Sequence, residues 1–581
     1  MNYVVSLVPN RSILMIKSHI LHLFILIVQS SCSLFAVQNP PPPNILFIAV
    51  DDLNDWISPL GGHPQTLTPN FQRLASQSVL FTNAHCPAPA CGPSRAAILS
   101  GIAPHLSGLY ENQQPLRELQ PEVTLMPRHF SNHGYHAAGS GKILHYVIDP
   151  QSWDDYFPAK EKDNPFPFTL YPKKRPVSLP RGGLWQYLET DWGPLDATDE
   201  EFGGDYSVSQ WVSKQLANPP TDKPFFLACG LYRPHEPWFV PAKYFEPFPL
   251  DQVQLPPGYR PNDLDDLPPA GRALARNRYF PHIQWHGQWR AGVQGYLASI
   301  HFADAMLGNV LDALEKSPRR DNTIVVLWSD HGWHLGEKEH WQKFTGWRAC
   351  SRVPLMIMVP KNNPGICDQP VSTLDLFKTL ISLTGIPERD NLSGHDLTPL
   401  LKNPTADWPH LALTQLRGPK DFALSGKQFR YIHYTNGDEE LYNIVADPHE
   451  WSNLAPDPAH KETLSFFRSK APNNAIPHKR PQQLTKLKKA PQVVLTTEGD
   501  PPPSLPGSGK VPFQIKNQSD SHLQLIWIDK QGNHKTFRQI AKASTHTIPT
   551  HVGHTWLLKT KSGTTLGHLI IPKNGARLHI E

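Results

Sequence analysis

The sequence predicts an α/β fold built on a large mixed, mostly parallel sheet. Continuous apolar runs at 44–50, 224–230, 323–328 and 354–360 are typical of strands that are buried on both faces. Helical patterns, such as the one at 303–316, lie between these runs. Because strands that alternate with helices form sheets with right-handed crossovers, we expect the four runs to share one sheet.

Length and composition limit the class of protein. At about 150 residues per domain, 581 residues predict three to four domains. The chain is 39% hydrophobic and 18% charged, which excludes overall disorder. Its 61 prolines, at about twice the usual frequency, disfavour coiled coils and helical solenoids. A net charge of +4 without a basic block argues against nucleic acid as a partner.

The N-terminus predicts export. Arg11 and Lys17 precede a short apolar run at 20–28, and small residues follow as far as Ala36. This is the layout of a signal peptide over 1–36, and the run is too short for a comfortable membrane span. We therefore expect a periplasmic or secreted protein without a membrane span, with an N-terminal anchor as the alternative. Removal of the signal would leave five cysteines and no CxxC pair, so the sequence predicts neither a disulfide scaffold nor a zinc site.

Changes in composition and in hydrophobic pattern divide the rest of the chain. The α/β pattern occupies 40–402, and 403–475 predicts a small antiparallel subdomain with a hairpin turn at 436–438. The segment 476–510 is rich in proline, lysine and glycine and indicates a linker. Short, evenly spaced apolar runs over 511–581 predict an appended all-β sandwich module.

The densest chemical pattern is the segment 91–101, Cys-Gly-Pro-Ser-Arg-Ala-Ala-Ile-Leu-Ser-Gly. Pro93 suits the first turn of a helix, in which Cys91 and Arg95 would share one face. A cysteine at a helix N-terminus beside a cation lies in a positive field, which favours reactivity. Taken alone, such a cysteine is more often a buried thiol at a loop–helix junction.

Acidic residues follow two of the predicted strands. Asp51 and Asp52 end the first run, and Asp330 and His331 follow the third. In α/β sheets ligands bind beyond the carboxyl ends of the strands. Carboxylates there suit a hard cation such as Ca²⁺ or Mg²⁺, and without one they would repel each other. Considered separately, each pair would be a solvated turn or a strand cap.

Together these segments resemble the type I sulfatase family. The Cys-x-Pro-Ser-Arg core of its signature begins at Cys91, followed by a helix ending in glycine, with Ser100 where threonine is usual. Asp-Asp after the first strand and Asp-His after a later one occur in the family's order. The resemblance extends over about 40–475 and is closest to the iduronate-2-sulfatase-like branch. It implies an alkaline-phosphatase-like sulfatase fold.

The resemblance also implies cofactors. Cys91 would be oxidised to formylglycine by a formylglycine-generating or anaerobic sulfatase-maturating enzyme, which recognises Pro93 and Arg95. The metal would be Ca²⁺, with Mg²⁺ as the alternative. Many sulfatases have asparagine where this chain has His331, as in the iduronate-sulfatase branch. The implied metal ligands are Asp51, Asp52, Cys91, Asp330 and His331.

Further residues match family positions that contact the sulfate. Lys142 and Arg95 would hold the formylglycine hydrate while one hydroxyl attacks sulfur to give a covalent sulfo-enzyme. His235, helped by Lys343, would protonate the leaving sugar oxygen, and His145 would take the proton that releases sulfate. Three neighbouring residues are candidates for lining the substrate pocket: Trp333, His334 and His340. The implied catalytic residues are Cys91, Arg95, Lys142, His145, His235 and Lys343.

The C-terminal module resembles the β domain of the von Hippel–Lindau protein. The matching stretches are 527–533 and 549–557. That family binds hydroxyproline in a pocket, and Phe537 replaces one of its tyrosines. The resemblance implies a docking partner for the module; the alternative is that its tryptophans belong to the sandwich core. Four residues fall on the pocket positions: Trp527, Thr550, His554 and Trp556.

The predicted function is hydrolysis of a sulfuric ester on a sulfated, uronate-containing oligo- or polysaccharide. One alternative is a phosphonate monoester hydrolase or phosphodiesterase of the same superfamily, which can share the cysteine motif. The other is a non-catalytic carbohydrate-binding protein on a sulfatase fold. That alternative would be marked by loss of the cysteine or a metal acid, and Cys91, Asp51, Asp52 and Asp330 are all present.

Overall fold

The computed structural model describes residues 1, 41–172, 190–479, 490–505 and 508–581, without the side chains of 508 and 510. Apart from Met1, the predicted signal peptide at 1–36 lies outside the described residues. All elements below belong to the compact unit Asn44–Glu581. The α-helices are α1 (Pro69–Ala75), α2 (Cys91–Ser100), α3 (Pro104–Ser107), α4 (Leu116–Leu119), α5 (Met126–Asn132), α6 (Asp199–Phe202), α7 (Asp205–Ala217), α8 (Pro269–Ala275), α9 (Tyr279–Trp285), α10 (Trp289–Glu315), α11 (Arg348–Ser351), α12 (Leu376–Thr384), α13 (Thr398–Lys402) and α14 (Lys461–Ser469).

The strands form several sheets. Those that precede residue 476 are β1 (Asn44–Val50), β2 (Val79–Phe81), β3 (Ala84–His85), β4 (His136–Gly141), β5 (Asp155–Phe157), β6 (Trp192–Leu195), β7 (Phe225–Leu231), β8 (Trp238–Pro241), β9 (Thr323–Ser329), β10 (His334–Leu335), β11 (Trp341–Gln342), β12 (Leu355–Met358), β13 (Gly365–Cys367), β14 (Val371–Ser372), β15 (Ala412–Gln415), β16 (Phe422–Ser425), β17 (Phe429–His433) and β18 (Glu439–Asn443). Those that follow are β19 (Gln492–Val493), β20 (Ser508–Asn517), β21 (Leu523–Ile528), β22 (His534–Ile540), β23 (Ser544–Val552), β24 (Thr555–Thr560), β25 (Thr565–Ile570) and β26 (Ala576–Ile580).

The central sheet has eight strands in the order β13-β2-β12-β9-β1-β7-β4-β5. β1 is parallel to both of its neighbours, β9 and β7, and the parallel pairing continues through β4 to β5. β12 alone runs against the others, because it is antiparallel to both β9 and β2. The predicted mixed, mostly parallel α/β sheet is therefore confirmed, and the run at 354–360 supplies its one reversed strand.

Side chains of β1 alternate between two cores. Leu46, Ile48 and Val50 pack into the cluster that includes the apolar face of α10. Ile45 and Phe47 pack into the opposite cluster, which includes residues of α2 and α12. Each fully buried aliphatic or aromatic side chain contributes about 1.5–3 kcal/mol relative to exposure. Helices on both faces thus explain why the strands are continuous apolar runs rather than alternating ones.

The order of the four central strands positions the functional site. β9, β1, β7 and β4 are parallel neighbours, so their carboxyl ends lie at the same edge of the sheet. The backbone N–H of Asp51 donates to the carbonyl of Leu231 at 3.1 Å, which extends the pairing one residue past the strands. Residues that follow these strands therefore lie close together. In open α/β sheets, ligands bind just beyond the carboxyl ends of the strands.

The subdomain predicted at 403–475 has an antiparallel sheet in the order β15-β16-β17-β18. Helix α14 covers it, with Leu464 and Phe467 packed in the same cluster as Tyr431. The hairpin between β17 and β18 turns at Gly437, whose φ of +91° a side chain would strain.

The C-terminal module is a sandwich of two four-stranded sheets, β19-β26-β20-β23 and β22-β21-β24-β25, around a single apolar core. It begins before the predicted boundary at 511, because Gln492–Val493 pairs with β26 and Thr496 bridges His568. Part of the segment predicted as a linker at 476–510 therefore belongs to the sandwich. Helices in the described part of the chain are all too short or too polar to cross a membrane.

Candidate active site

Helix α2 carries Cys91 at its first position, at the edge of the sheet where the strands end. The helix stops at Gly101, which has a φ of +68° and closes the last turn. The Ser94 hydroxyl donates to the carbonyl of Asp330 at 2.6 Å, which ties the helix to the end of β9. Cys91 is completely buried, so only groups that line the site contact it.

Four polar side chains surround the Cys91 sulfur. Its Sγ lies 3.1 Å from Lys343 Nζ, 3.2 Å from His331 Nε2, 3.7 Å from Lys142 Nζ and 3.8 Å from Asp52 Oδ1. Burial raises the pKa of the Cys91 thiol, and the two lysines offset that rise only in part. The structure thus brings together residues from four separate segments that the sequence singled out.

Arg95 lies one turn further along α2 and is also completely buried. Its Nε donates to Asp330 Oδ2 at 2.7 Å and its Nη2 donates to Asp51 Oδ1 at 2.9 Å. Nη1 donates to the carbonyls of Lys142 and Ile143. The guanidinium therefore joins the ends of β1, β4 and β9 and pairs with two carboxylates, while its contact with the formylglycine hydrate stays a prediction.

The carboxylates differ in their electrostatic setting. Burial alone would raise the pKa of Asp51, but Lys142, which also forms an ion pair with it, and Arg95 hold that pKa well below its usual range. Burial raises the pKa of Asp52 well above its usual range, although Lys343 Nζ donates to its Oδ1 at 2.8 Å. Of these two carboxylates, Asp52 would be stabilised more by a bound cation, because its present neighbours only partly offset the cost of burying its negative charge.

The donor atoms fit a hard divalent cation. One ligand atom each from Asp52, Cys91, Asp330 and His331 lies within 4.8 Å of the others, and so do atoms of Asp51, Asp52 and His235. Carboxylates supply two of the four donors in the first set and two of the three in the second, and such oxygens are the ligands that Ca²⁺ and Mg²⁺ prefer. His331 Nδ1 pairs with the carbonyl of Gly332 at 3.0 Å, which leaves Nε2 aimed at the cluster.

His235 lies in the loop after β7. Its Nε2 is 3.6 Å from Asp52 Oδ2, and its Nδ1 is 2.6 Å from the carbonyl of Glu236. Burial first, and then Lys142 and Lys343, lower the pKa of His235 well below its usual value. A bound anion would oppose these cations and favour the protonated ring.

His145 is the half-buried member of the predicted set. Burial and the cations of Lys142 and Lys343 lower its pKa to about 2, so the ring is neutral here, and it would gain basicity when a bound anion offsets those cations. It lines a cavity of about 860 Å³ together with Gly92. A second cavity of about 580 Å³ lies against Lys142. Both cavities include Tyr146, and they adjoin the residues around Cys91.

Two acids at the site have no local pattern in the sequence. The Asp205 carboxylate accepts hydrogen bonds from the backbone N–H groups of Tyr232 and Arg233 at 2.7 and 2.8 Å, and so supports the loop that carries His235. Glu236 accepts from Thr190 Oγ1 at 3.0 Å and from Trp341 Nε1 at 3.2 Å.

The residues expected to line a pocket have other partners. His334 is buried and pairs with Thr345 Oγ1 and with the carbonyl of Glu337. His340 pairs with the carbonyls of Ala275 and Lys343. His334 also lines a cavity of about 410 Å³, and a role of the two histidines in a substrate pocket stays a prediction. Trp333 is fully buried, and Lys343 lies over its ring.

Comparisons with known proteins define the class. The Sulfatase family model matches residues 43–386, and a model of the N-sulphoglucosamine sulphohydrolase C-terminal region matches residues 336–473. The chain belongs to the sulfatase family. It is accordingly a sulfuric ester hydrolase, as the resemblance of the cysteine segment predicts.

Relatives with described names include several sulfatases. A sulfatase of Formosa agariphila is 37% identical over 446 residues, which cover 74% of this chain and 86% of that protein. Mouse iduronate 2-sulfatase is 32% identical over 341 residues, but these cover only 55% of this chain and 59% of that enzyme. The similarity to the iduronate branch is therefore confined to about half of the chain.

Solved structures confirm the fold. A protein in complex with its substrate D-glucosamine-2-N,6-O-disulfate superposes with a TM-score of 0.59 at 20% identity, over 74% of this chain and 97% of that one. A phosphonate monoester hydrolase from Silicibacter pomeroyi superposes with a TM-score of 0.60 at 22% identity, over 74% and 94%. At these identities the likeness shows the architecture alone.

Proposed function

We propose that this sulfatase removes sulfate from a uronate-containing carbohydrate, with residue 91 as the nucleophile after oxidation to formylglycine. The observation that carries the proposal is the position of Cys91, buried between two lysines, a histidine and a carboxylate. An ordinary structural cysteine packs against apolar side chains instead. Hydration of formylglycine at this position would supply the attacking hydroxyl.

The acids at the strand ends would hold a divalent cation. Asp51, Asp52, Asp330 and His331, with residue 91, are the proposed ligands, and Ca²⁺ is the proposed ion with Mg²⁺ as the alternative. Once bound, the ion would polarise a sulfate oxygen and lower the pKa of a hydroxyl on residue 91.

Each of the remaining side chains has a proposed task. Lys142 and Lys343 lie within 4 Å of the residue 91 side chain, where their charges oppose the charge that builds on the sulfuryl oxygens. His235 donates a proton to the departing sugar oxygen. His145 is neutral before sulfate binds, and it accepts the proton of the second hydroxyl once the sulfate charge offsets the two lysines that lower its pKa. Arg95 positions the carboxylates.

The choice of a uronate substrate rests on relatives rather than on pocket shape. Mouse iduronate 2-sulfatase and an ulvan-active sulfatase of Formosa agariphila are both similar to this chain, at 32% and 27% identity. We propose a 2-sulfated uronate as the sugar that loses sulfate. Release of sulfate from disaccharides of dermatan sulfate, heparan sulfate and ulvan tests this directly, and activity confined to sulfated hexosamine would contradict it.

Phosphonate monoester hydrolysis, the alternative activity, is tested with two matched substrates. These are an aryl sulfate and an aryl phosphonate monoester with the same leaving group. We expect kcat/KM for the sulfate to exceed that for the phosphonate by at least about tenfold, or about 1.4 kcal/mol of transition-state stabilisation. The opposite ranking would support a phosphonate monoester hydrolase.

Ion binding is testable without turnover. In a Cys91→Ala background, Ca²⁺ at about 100 times its Kd should stabilise the fold by about 2.7 kcal/mol and raise the melting temperature. Asp52→Asn should remove most of this shift, because it takes away the carboxylate placed to gain most from a cation. Asp529→Asn, an acid of the C-terminal module, is the control. Equal shifts in both variants would reject the site.

The role of His235 predicts a dependence on the leaving group. His235→Gln should lower kcat for a sulfated sugar by about 10²–10⁴, because an alkoxide leaves poorly without a proton. The loss on an aryl sulfate should be much smaller, since a phenolate needs little protonation. His433→Gln, in the antiparallel subdomain, should change neither rate. Equal losses on both substrates would exclude His235 as the acid.

Maturation and export complete the proposal. The segment 91–101 would be the recognition element of a formylglycine-generating or anaerobic sulfatase-maturating enzyme. The pattern at 1–36 would direct the protein to the periplasm or the medium. Cell fractionation of the full chain, with the N-terminus of the mature form sequenced, tests both the compartment and the cleavage site.

A further inference from the structure

The C-terminal module has a surface that the catalytic site does not use. Strand β22 is an edge strand, and its residues 534–539 are all exposed. Phe537 is 52% exposed although it is a large apolar side chain, and Lys535 keeps 59% of its side chain in solvent. Exposed edge strands usually carry charged or polar side chains. An exposed aromatic residue on β22 therefore indicates a contact site.

Aromatic rings continue from this edge into the open end of the sandwich. Phe537 packs edge-on against Trp556 at 5.1 Å, and the rings of Trp527 and His554 are 5.3 Å apart. Lys535 Nζ lies 5.5 Å from the centre of the Trp527 ring. We call this group, with Lys530 beside His554, the aromatic–basic surface: Trp527, Lys530, Lys535, Phe537, His551 and His554.

Hydrogen-bonding groups lie directly beneath this surface. The Trp527 indole nitrogen is buried and has no hydrogen-bond partner among the described residues. Thr550 Oγ1 accepts from Trp556 Nε1 at 2.9 Å and is 3.4 Å from His554 Nδ1, which fixes the position of the histidine ring. Half-buried rings with a few polar groups between them are the composition of a ligand site.

The charge of the module favours an anionic ligand. Residues 490–581 contain ten Lys and Arg but five Asp and Glu, whereas residues 1–475 contain forty Lys and Arg and forty-six Asp and Glu. Asp529 is the acid beside the surface, and it is occupied by Lys535 and by backbone N–H groups of Gln531 and Asn533. The intervening residues 476–489 add five Lys and Arg and no acid, so a polyanion would be attracted to residues 476–581 more than to residues 1–475.

We propose that the aromatic–basic surface binds sulfated polysaccharide as an accessory site. Faces of pyranose rings carry C–H groups that stack on aromatic rings, and Lys530 and Lys535 would pair with sulfate groups. This inference rests on the proposed function, because the same polymer would be the substrate. Binding at a second point on one polymer raises the effective concentration of its sulfated ends.

The test uses the full chain in a Cys91→Ala background, so that binding is measured without turnover. The surface variant is Lys530→Gln, Lys535→Gln, Phe537→Ala. The matched control is Lys561→Gln, Lys573→Gln, Val494→Ala, which makes changes of the same kind at exposed positions of the same module. Dermatan sulfate and its chemically desulfated form are the probes.

We expect the Kd for dermatan sulfate to rise by about tenfold in the surface variant and by less than about twofold in the control. Desulfated polymer should bind weakly to the Cys91→Ala chain with its surface intact. Its Kd there should be at least as high as the Kd of the surface variant for dermatan sulfate. Equal Kd values for the two variants would overturn the proposal. Retention of a hydroxyproline-containing peptide by the surface, with no effect on polymer binding, would overturn it in favour of a peptide site.

Activity measurements distinguish a failure of the accessory site from a failure of the proposed sulfatase mechanism. With Cys91 restored, the surface variant should lose several-fold in kcat/KM on the polymer but keep the control's rate on a small aryl sulfate. Equal polymer rates in the two variants would overturn the accessory site while leaving the sulfatase assignment intact. If neither variant nor the unaltered chain hydrolysed the aryl sulfate, the catalytic proposal itself would fail, whatever the binding result.

Discussion

Cys91→Ala is expected to abolish sulfate release. The side chain is the proposed nucleophile, and the surrounding lysines and acids act on the group that it forms. Removal of a catalytic nucleophile commonly costs a factor of about 10⁶ in kcat. Substrate binding should persist, because the cations Lys142 and Lys343 remain. The measurement is sulfate released from an aryl sulfate, with equilibrium binding of a sulfated disaccharide to the same variant.

The control for this experiment is Cys367→Ala. Cys367 is another buried cysteine, on β13 at the edge of the central sheet. Its loss should leave turnover unchanged. Mass spectrometry of the unaltered peptide that contains Cys91 should show an aldehyde in place of the thiol. Turnover retained in Cys91→Ala, or full activity of a chain whose Cys91 is an unmodified thiol, would reject formylglycine chemistry.

The central sheet was predictable because its strands are buried on both faces. Such strands are continuous apolar runs, and the acids that end β1 and β9 are visible in the sequence. The reversed direction of β12 was not predictable, since a buried antiparallel strand has the same composition as a parallel one. Similarly, Gln492–Val493 was assigned to a linker because its short apolar run stands among prolines and lysines, and its partner strand β26 lies over 80 positions away.

The candidate site was predictable where residues lie in short motifs. Cys91 and Asp330 belong to local patterns, and the structure places both in one cluster. Asp205 was missed because its function arises only from tertiary contact: its carboxylate holds a loop 27 positions later in the chain. The pocket role of His334 and His340 stays a prediction. Both rings have hydrogen-bond partners within the protein, and His334 also lines a cavity of about 410 Å³.

Arg95 carries the second large expected effect. Its guanidinium is the shared partner of Asp51 and Asp330, and all three side chains are completely buried. Arg95→Met would leave two carboxylates without their common cation, in a region that excludes water. Removal of one partner from a buried ion pair typically costs 3–5 kcal/mol, and we expect a loss of about that size in the free energy of unfolding. Chemical denaturation in a Cys91→Ala background measures it without interference from maturation.

Two further variants decide whether charge is the cause. Arg73→Met removes an arginine from an exposed pair with Asp312 and Glu315, and should cost less than about 1 kcal/mol. The double variant Arg95→Met, Asp330→Asn also removes the carboxylate that Arg95 Nε contacts, and it leaves Asp51 paired with Lys142. Because less uncompensated charge then remains, it should recover part of the lost stability without recovering turnover. A double variant less stable than Arg95→Met alone would show that Arg95 acts mainly through packing.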